Sequence, residues 1–435
     1  MSLKRVFCAA VSVCLALPAW AVTAPATKTT PLSIAAGPAA QIDPALQIFI
    51  QQVWAESPAL QKAQAELEAA RAHAAGADKP LHNPVLELET ERTEINTTTV
   101  GVSQTLDWSD KRDAASRIAA REVEAAQAQR DQARQRVAID ALNALADYYS
   151  AGEMQALALR RSQLMKGFID VIDKRQAAGD VTALEANLAQ VAYSEALMAQ
   201  ANSESALAEA EAALQAASGL APPQWPGLPD RLSPPPEQAD IAQLDALPEL
   251  VALKKRLQAA TARIDLARRE GRIDPTVGLR AGREDSETLL GVTLEIPLFV
   301  RNNFQSGVRA AGRNAAAEEQ AYRQAHRLAV GRLRAALGRY HHTSRAWRAW
   351  VSTGLQAHRE QAALLERMWR AGELSATDFL VQAKQNIDTQ VSATRLKGEV
   401  WQAFFEWLDA TGQVEQWLGL TPESASRTNT FGAQQ

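Results

Sequence analysis

Two stretches of this chain alternate apolar and polar residues with a period of two. In the later one, Val277, Leu279 and Ala281 alternate with Thr276, Gly278, Arg280 and Gly282. After the polar turn Glu284-Asp285-Ser286-Glu287 the alternation resumes. Leu290, Val292, Leu294 and Ile296 share one face; Leu289, Gly291, Thr293 and Glu295 share the other. The earlier stretch covers residues 85–92 and 97–106. Val100, Val102 and Leu106 lie on one face, and Glu87, Glu89 and Glu91 crowd one side. Period two with one apolar face predicts strands, so each stretch reads as a strand pair.

Each pair is followed by a long helical pattern. Residues 109–177 and 303–371 contain no proline, and at 1.5 Å per residue each run could reach about 100 Å. A helix of that length needs a partner along it. Ser109 before Asp110, and Asn302 before Gln305, mark the expected starts. Gly179 and Gly372 mark the ends, with Lys174 and Arg175, or Arg367 and Arg370, in the last turns. Thr182 with Glu185, and Ser375 with Asp378, then sit at N-cap and N3 spacing and predict a second helix at once. The result is a long helical hairpin with a tight tip, twice. Small residues such as Ala114, Ala115, Ala119 and Ala126 allow the helices to approach closely.

The duplication runs through the whole chain. Ser57-Pro58-Ala59-Leu60 matches Leu247-Pro248-Glu249-Leu250, and His82-Asn83-Pro84-Val85 matches Ile273-Asp274-Pro275-Thr276. Ala178-Gly179-Asp180 matches Ala371-Gly372-Glu373, and Ala217-Ser218-Gly219 matches Ala410-Thr411-Gly412. The offset of about 190 residues exceeds any solenoid period and points to a duplicated domain. The first copy is read as 57–219 (strands about 84–106, helical hairpin about 109–218, tip near 179). The second is 247–412 (strands about 275–298, hairpin about 303–411, tip near 372). A Pro-rich connector, 220–246, lies between them.

Lys4 and Arg5, the apolar run from Val6 to Leu17, and Ala19-Trp20-Ala21 read as a secretory signal over residues 1–21. Both cysteines, Cys8 and Cys14, fall in that segment, so the exported chain has no disulfide and no thiolate site. Neither is placed to carry a lipid. Loss of the signal takes the formal charge from −4 to −6, which gives no reason to expect a nucleic-acid partner. The Ala-rich, charge-rich composition suits long packed helices better than a globular enzyme core. No later run is long and apolar enough for a transmembrane helix, so a membrane form must be a β-barrel. Four strands cannot close a barrel; about eight is the minimum. The chain must therefore pool its strands with copies of itself, and the helical hairpins then form a coaxial tube.

The tips read Gly179-x-x-Thr182-x-x-Glu185 and Gly372-x-x-Ser375-x-x-Asp378-Phe379-Leu380. With the signal and the duplicated unit, the whole mature chain resembles the TolC family of outer-membrane efflux factors. The resemblance implies a mainly α fold with a membrane β portion. A homotrimer would build a 12-stranded outer-membrane barrel continuous with a periplasmic helical barrel. Residues 22–56 and 413–435 would then be flexible or equatorial flanks. It also implies a periplasmic adaptor and an inner-membrane pump as partners. Two segments are similar to the branch paired with cobalt–zinc–cadmium pumps of the RND type. They are Gly101-Val102-Ser103-Gln104-Thr105-Leu106 with Asp110-Lys111-Arg112, and Val292 to Phe299 with Arg301-Asn302. Divalent heavy-metal cations are the cargo that branch implies. The other readings are a drug-efflux or type I secretion channel, and a periplasmic coiled-coil adaptor.

The resemblance places Asp378, and its pseudo-symmetric partner Glu185, at the tunnel constriction. Either residue could equally serve only to cap its helix. It places Arg175, Gly179, Asp180, Val181, Arg370, Gly372, Glu373 and Leu374 at the adaptor-facing tips, where the glycines also satisfy backbone geometry alone. The family's second acid is Val381 here. Trp108 and Phe299 close the strand pairs and fit either an interfacial girdle or packing on a helix start. His73, His82, His326, His341, His342 and His358 show no spacing for a metal site, and no cofactor is expected. There is no nucleophile elbow, phosphate loop or His-Glu-x-x-His, so no enzyme activity is expected.

Overall fold

The computed structural model describes residues 32–34, 43–92, 96–222 and 225–420. The signal reading over 1–21, most of the first half of the 22–56 flank and the part of the 413–435 flank after Leu420 lie outside the described residues. In chain order, β1 (Ser33–Ile34) leads to α1 (Pro44–Glu56) and α2 (Pro58–Ala77). The first hairpin is β2 (Val85–Arg92) and β3 (Asn96–Thr105), followed by α3 (Lys111–Ala177) and α4 (Ala183–Ser218). The connector holds β4 (Arg231–Leu232) and a 3₁₀ turn, Ile241–Ala246. The second copy comprises α5 (Pro248–Glu270), β5 (Thr276–Glu284), β6 (Glu287–Glu295), α6 (Gln305–Ala349), α7 (Leu355–Ala371) and α8 (Ala376–Thr411). A short helix, α9 (Val414–Trp417), follows.

The four long strands form one antiparallel sheet in the order β2-β3-β5-β6, joining the two copies through β3 and β5. β1 and β4 form a separate parallel pair. Alternation could not reveal that pair, because two-residue strands carry no period and β4 lies within a Pro-rich stretch.

The helix starts differ from the expected caps. Asp110, not Ser109, caps α3 in a left-handed conformation (φ 52°). Asp107 accepts the Lys111 and Arg112 amides, both at 2.8 Å. Ser109 is instead buried against Asp274. Phe304, also left-handed, precedes α6, while Asn302 and Asn303 accept the Phe304 and Gln305 amides at 3.0 and 3.3 Å. The uninterrupted run expected over 303–371 is broken by a π turn, Trp350–Gly354, between α6 and α7. A Cβ on Gly354 would lie 2.5 Å from the Trp350 ring, so only glycine leaves room for this indole.

Among the described residues, three apolar clusters hold the helices and short strands together. The largest gathers Phe49, Ile50 and Val53 of α1, Leu142 and Leu145 of α3, Tyr340 and Trp347 of α6, and Trp401, Phe404 and Phe405 of α8. It also covers β1 and β4 through Leu32, Ile34 and Leu232. Trp347 Nε1 donates to the Leu32 carbonyl at 2.8 Å, and the Tyr340 hydroxyl donates to the Ser233 carbonyl. A second cluster lies at the hairpin tips, and a third joins the 3₁₀ turn and α5 to α6.

Candidate functional site

The sheet register sorts every strand residue onto a face. Leu86 and Leu88 sit beside Val102 and Val100; these sit beside Leu279 and Ala281, which in turn meet Val292 and Leu290. That face is a continuous apolar patch open to the surroundings: Leu88 is 75%, Val292 78% and Leu290 80% exposed. In water such a patch would be a liability; in hydrocarbon it is the expected outer face of a barrel. The opposite face carries Glu87, Glu89, Glu91, Thr97, Arg280, Glu284, Glu287, Thr293 and Glu295. The acidic crowding of the first strand pair is thus one polar face. Among the described residues, β2 and β6 are free edges, each an unpaired row of backbone groups.

The sheet is pinned to the helices at its base. Lys111 Nζ pairs with Asp274 Oδ2 at 2.7 Å, and the Ser109 amide donates to Asp274 Oδ1 at 3.2 Å. Arg269 Nη1 donates to the Ser109 carbonyl at 2.9 Å. Burial alone would push the Asp274 carboxyl up, but Lys111 and Ser109 outweigh it and hold it below the usual aspartate range. Lys111 belongs to the first copy and Asp274 to the second, so this contact locks the duplication together. Trp108, at the same level, is 73% exposed. Phe299 packs edge-to-face on Phe304 with centroids 5.1 Å apart. Phe299 is half-buried, and its neighbours Leu298 and Val300 are the exposed residues there.

The tips bring the two copies together again. Phe168 and Ile172 of α3, Ala189 of α4, Leu365 and Trp369 of α7, and Phe379 of α8 form one cluster. Trp369 stacks on Phe379 at 4.7 Å, and the Arg175 guanidinium lies 4.7 Å over the Trp369 ring. Val181 and Leu374 pack against this cluster, so Arg175, Val181 and Leu374 are half-buried. Gly179, Asp180, Arg370, Gly372 and Glu373 are exposed. Gly179 (φ 82°) and Gly372 (φ 75°) adopt the left-handed conformation that closes each helix end. The Asp180 and Glu373 amides reach back to Arg175 and Met368, both at 2.9 Å.

The two candidate constriction acids occupy the next turn. Glu185 completes a capping box: its amide donates to Thr182 Oγ1 at 3.3 Å and its carboxylate accepts the Thr182 amide at 2.9 Å. That amide, then the Thr182 hydroxyl, holds its carboxyl below the usual glutamate range. Asp378 is exposed; its amide donates to Ser375 Oγ at 3.1 Å, and that hydroxyl donates to Asp378 Oδ2 at 2.7 Å.

The chain thus presents a sheet with one apolar and one polar face, and helical tips packed together. The model of the family described as outer membrane efflux protein matches residues 49–220 and 243–413. The chain belongs to that family. It is 29% identical over 253 residues to the cobalt-zinc-cadmium resistance protein CzcC of Cupriavidus metallidurans. The match covers 53% of this chain and 58% of CzcC, so the chain spans rather more than half the length of that relative. Its fold is similar to the open state of the MtrE outer membrane channel of Neisseria gonorrhoeae (TM-score 0.73, 18% identity, 88% of this chain and 94% of that one). It is likewise similar to CusC, described as undergoing transmembrane channel formation (TM-score 0.71, 16% identity, 87% and 95% covered). The family and fold are those of channel proteins.

Among the described residues, no helix is long and apolar enough to cross a membrane, and no three His, Cys, Asp or Glu residues are grouped to hold a metal ion. His358 is buried between Trp350 and Asn386, and burial holds its pKa below the usual histidine value. Sequence reasoning missed the Lys111–Asp274 lock and the Arg175–Trp369 stack. Lys111 and Asp274 were each visible as parts of separate motifs. Nothing in either motif says that the two meet.

Proposed function

We propose that this protein is the outer-membrane channel of a tripartite efflux system, a passive duct for divalent heavy-metal cations. One observation carries the reading: a four-stranded sheet with one lipid-ready face and two free edges. A homotrimer satisfies it. Three sheets joined β6 to β2 make a closed barrel of twelve antiparallel strands, which removes every edge. The polar face lines the exit, and the helical hairpins extend into the periplasm. Their exposed tip loops, around Gly179-Asp180 and Gly372-Glu373, meet a periplasmic adaptor that couples the duct to an inner-membrane RND pump. The similarity to CzcC supports metal cargo. A conduit needs no tight metal site, because tight binding slows release.

Deleting the protein is expected to sensitise cells to zinc, cobalt or cadmium; sensitivity to organic drugs alone refutes the metal reading. Fractionation is expected to recover trimers from the outer membrane with detergent. A detergent-free monomer in the periplasm refutes the channel. At the tip, Asp378 serves both as helix cap and as part of the constriction. Asp378→Ala is expected to raise the conductance of trimers in planar bilayers and weaken block by divalent cations; unchanged conductance and block leave Asp378 as a cap only.

A further inference from the structure

On the polar face, one row across the sheet reads Glu87–Gly101–Arg280–Gly291. Arg280 is the basic residue of this face among the described strand residues; Arg283 and Arg92 fall on the other face. Glycine flanks it on both neighbouring strands, and the space above them is used. A Cβ on Gly291 would lie 2.9 Å from Arg280 Nε and 3.1 Å from its Cγ. A Cβ on Gly101 would lie 3.3 Å from the Arg280 Cβ. The side chain therefore lies across Gly291, over β6, toward the free edge. The ion pairs among the described residues include neither Arg280 nor Glu89 or Glu91. Glu87 accepts a hydrogen bond from Ser103 Oγ at 2.6 Å.

We propose that Arg280 of one copy pairs with the Glu87–Glu89–Glu91 stripe of the next copy, across the β6–β2 seam on the polar face. This rests on the trimeric reading above. β2 and β6 run in opposite directions, so the edges of two copies meet antiparallel, and same-face residues of β2 then stand directly beyond Gly291. Two strand spacings, about 9.6 Å, separate β5 from the neighbour's β2, and Arg280 already crosses the first of them. The three glutamates recur about every 6.8 Å along β2, so one carboxylate falls near the guanidinium for any stagger that sets residues 87–91 beside Gly291. A planar guanidinium suits this geometry, because its five N–H groups can donate to a carboxylate from several approaches.

The test uses the full mature trimer in detergent, with its dissociation rate in dodecyl sulfate at fixed temperature as the readout. Arg280→Ala is expected to speed dissociation about fivefold, the scale of a partly exposed ion pair repeated round the ring. The triple variant Glu87→Gln, Glu89→Gln, Glu91→Gln should do the same, and the combination should add nothing further. Salt should speed dissociation of the wild type but not of Arg280→Ala. Arg280→Glu should dissociate faster still and be rescued by lysine at positions 87, 89 and 91. In the protein expressed from residue 22, which lacks Cys8 and Cys14, Arg280→Cys with Glu87→Cys, Glu89→Cys or Glu91→Cys should yield covalent trimers with a bifunctional maleimide. Wild-type rates in Arg280→Ala, multiplying effects in the combination, or no crosslinking in any pair overturns the inference. A wild type that is never trimeric overturns the channel reading instead.

Discussion

Val292→Arg and Thr293→Arg are adjacent, chemically similar changes that should behave oppositely. Val292 lies near the middle of the nine-residue strand β6, 78% exposed on the apolar face. Thr293 lies on the polar face, beside Gly278. A strand of nine residues tilted as in barrels spans about 23 Å, close to the apolar band of an outer-membrane barrel, so Val292 sits near its midplane. Arginine there costs about 2–4 kcal/mol per copy, and therefore about 6–12 kcal/mol per trimer. Were this face in water, the same change at so exposed a site would fall within about 0.5 kcal/mol. Copy for copy, the two environments thus differ about four- to eightfold in the predicted effect. The assay is assembly of purified protein into phosphatidylcholine vesicles, read as the fraction of trimer and its urea midpoint. Val292→Arg should fail to assemble or lose most of its midpoint, and Thr293→Arg should stay near wild type. Normal assembly of Val292→Arg, or equal damage from both, refutes the assignment of faces.

Two further outcomes follow from the helical half. Asp274→Ala strands Lys111 in a largely buried site and should destabilise the protein by about 3 kcal/mol in thermal unfolding. Asp274→Asn, which can keep the Ser109 contact, should cost less. Because the folded state holds this carboxyl low, the contribution is present above the ordinary aspartate range near pH 4 and fades as pH falls through the folded value. An Asp274→Ala protein as stable as wild type at neutral pH discounts the lock. Asp409 has the opposite sign. Burial pushes its pKa up, against the Gln135 hydrogen bond and the charges of Arg332 and Arg136, with Asp140 adding to the rise. Its favourable contribution is present below the ordinary aspartate value and is lost as pH rises through the folded one. Asp409→Asn should therefore raise Tm at pH 7.5 and give no gain below about pH 4. A gain independent of pH refutes burial of the charge as the cause.

The parts of this protein that were legible in the chain are those with a local period or a local stop. Leu290, Val292 and Leu294 alternate with Gly291 and Thr293, and the structure has a strand with those two faces. Thr182 with Glu185 predicted a capped helix start, and both reciprocal hydrogen bonds are present. Gly179 and Gly372 predicted helix ends, and both are left-handed. The first strand pair was harder to sort, because Glu87, Glu89 and Glu91 break the apolar pattern. The register resolves them onto the polar face.

What the sequence by itself determined was the duplicated unit, its strands and helices, and the incompleteness of four strands. These follow from backbone hydrogen bonding and side-chain periodicity within short windows. Only the tertiary structure decided which distant residues meet. The β1–β4 pair, the Lys111–Asp274 lock, the Arg175–Trp369 stack and the Gly101 side of the Arg280 seat each depend on packing between segments far apart in the chain. No local pattern encodes them, because the free energy of each contact exists only once the long helices and the sheet have brought its two halves together.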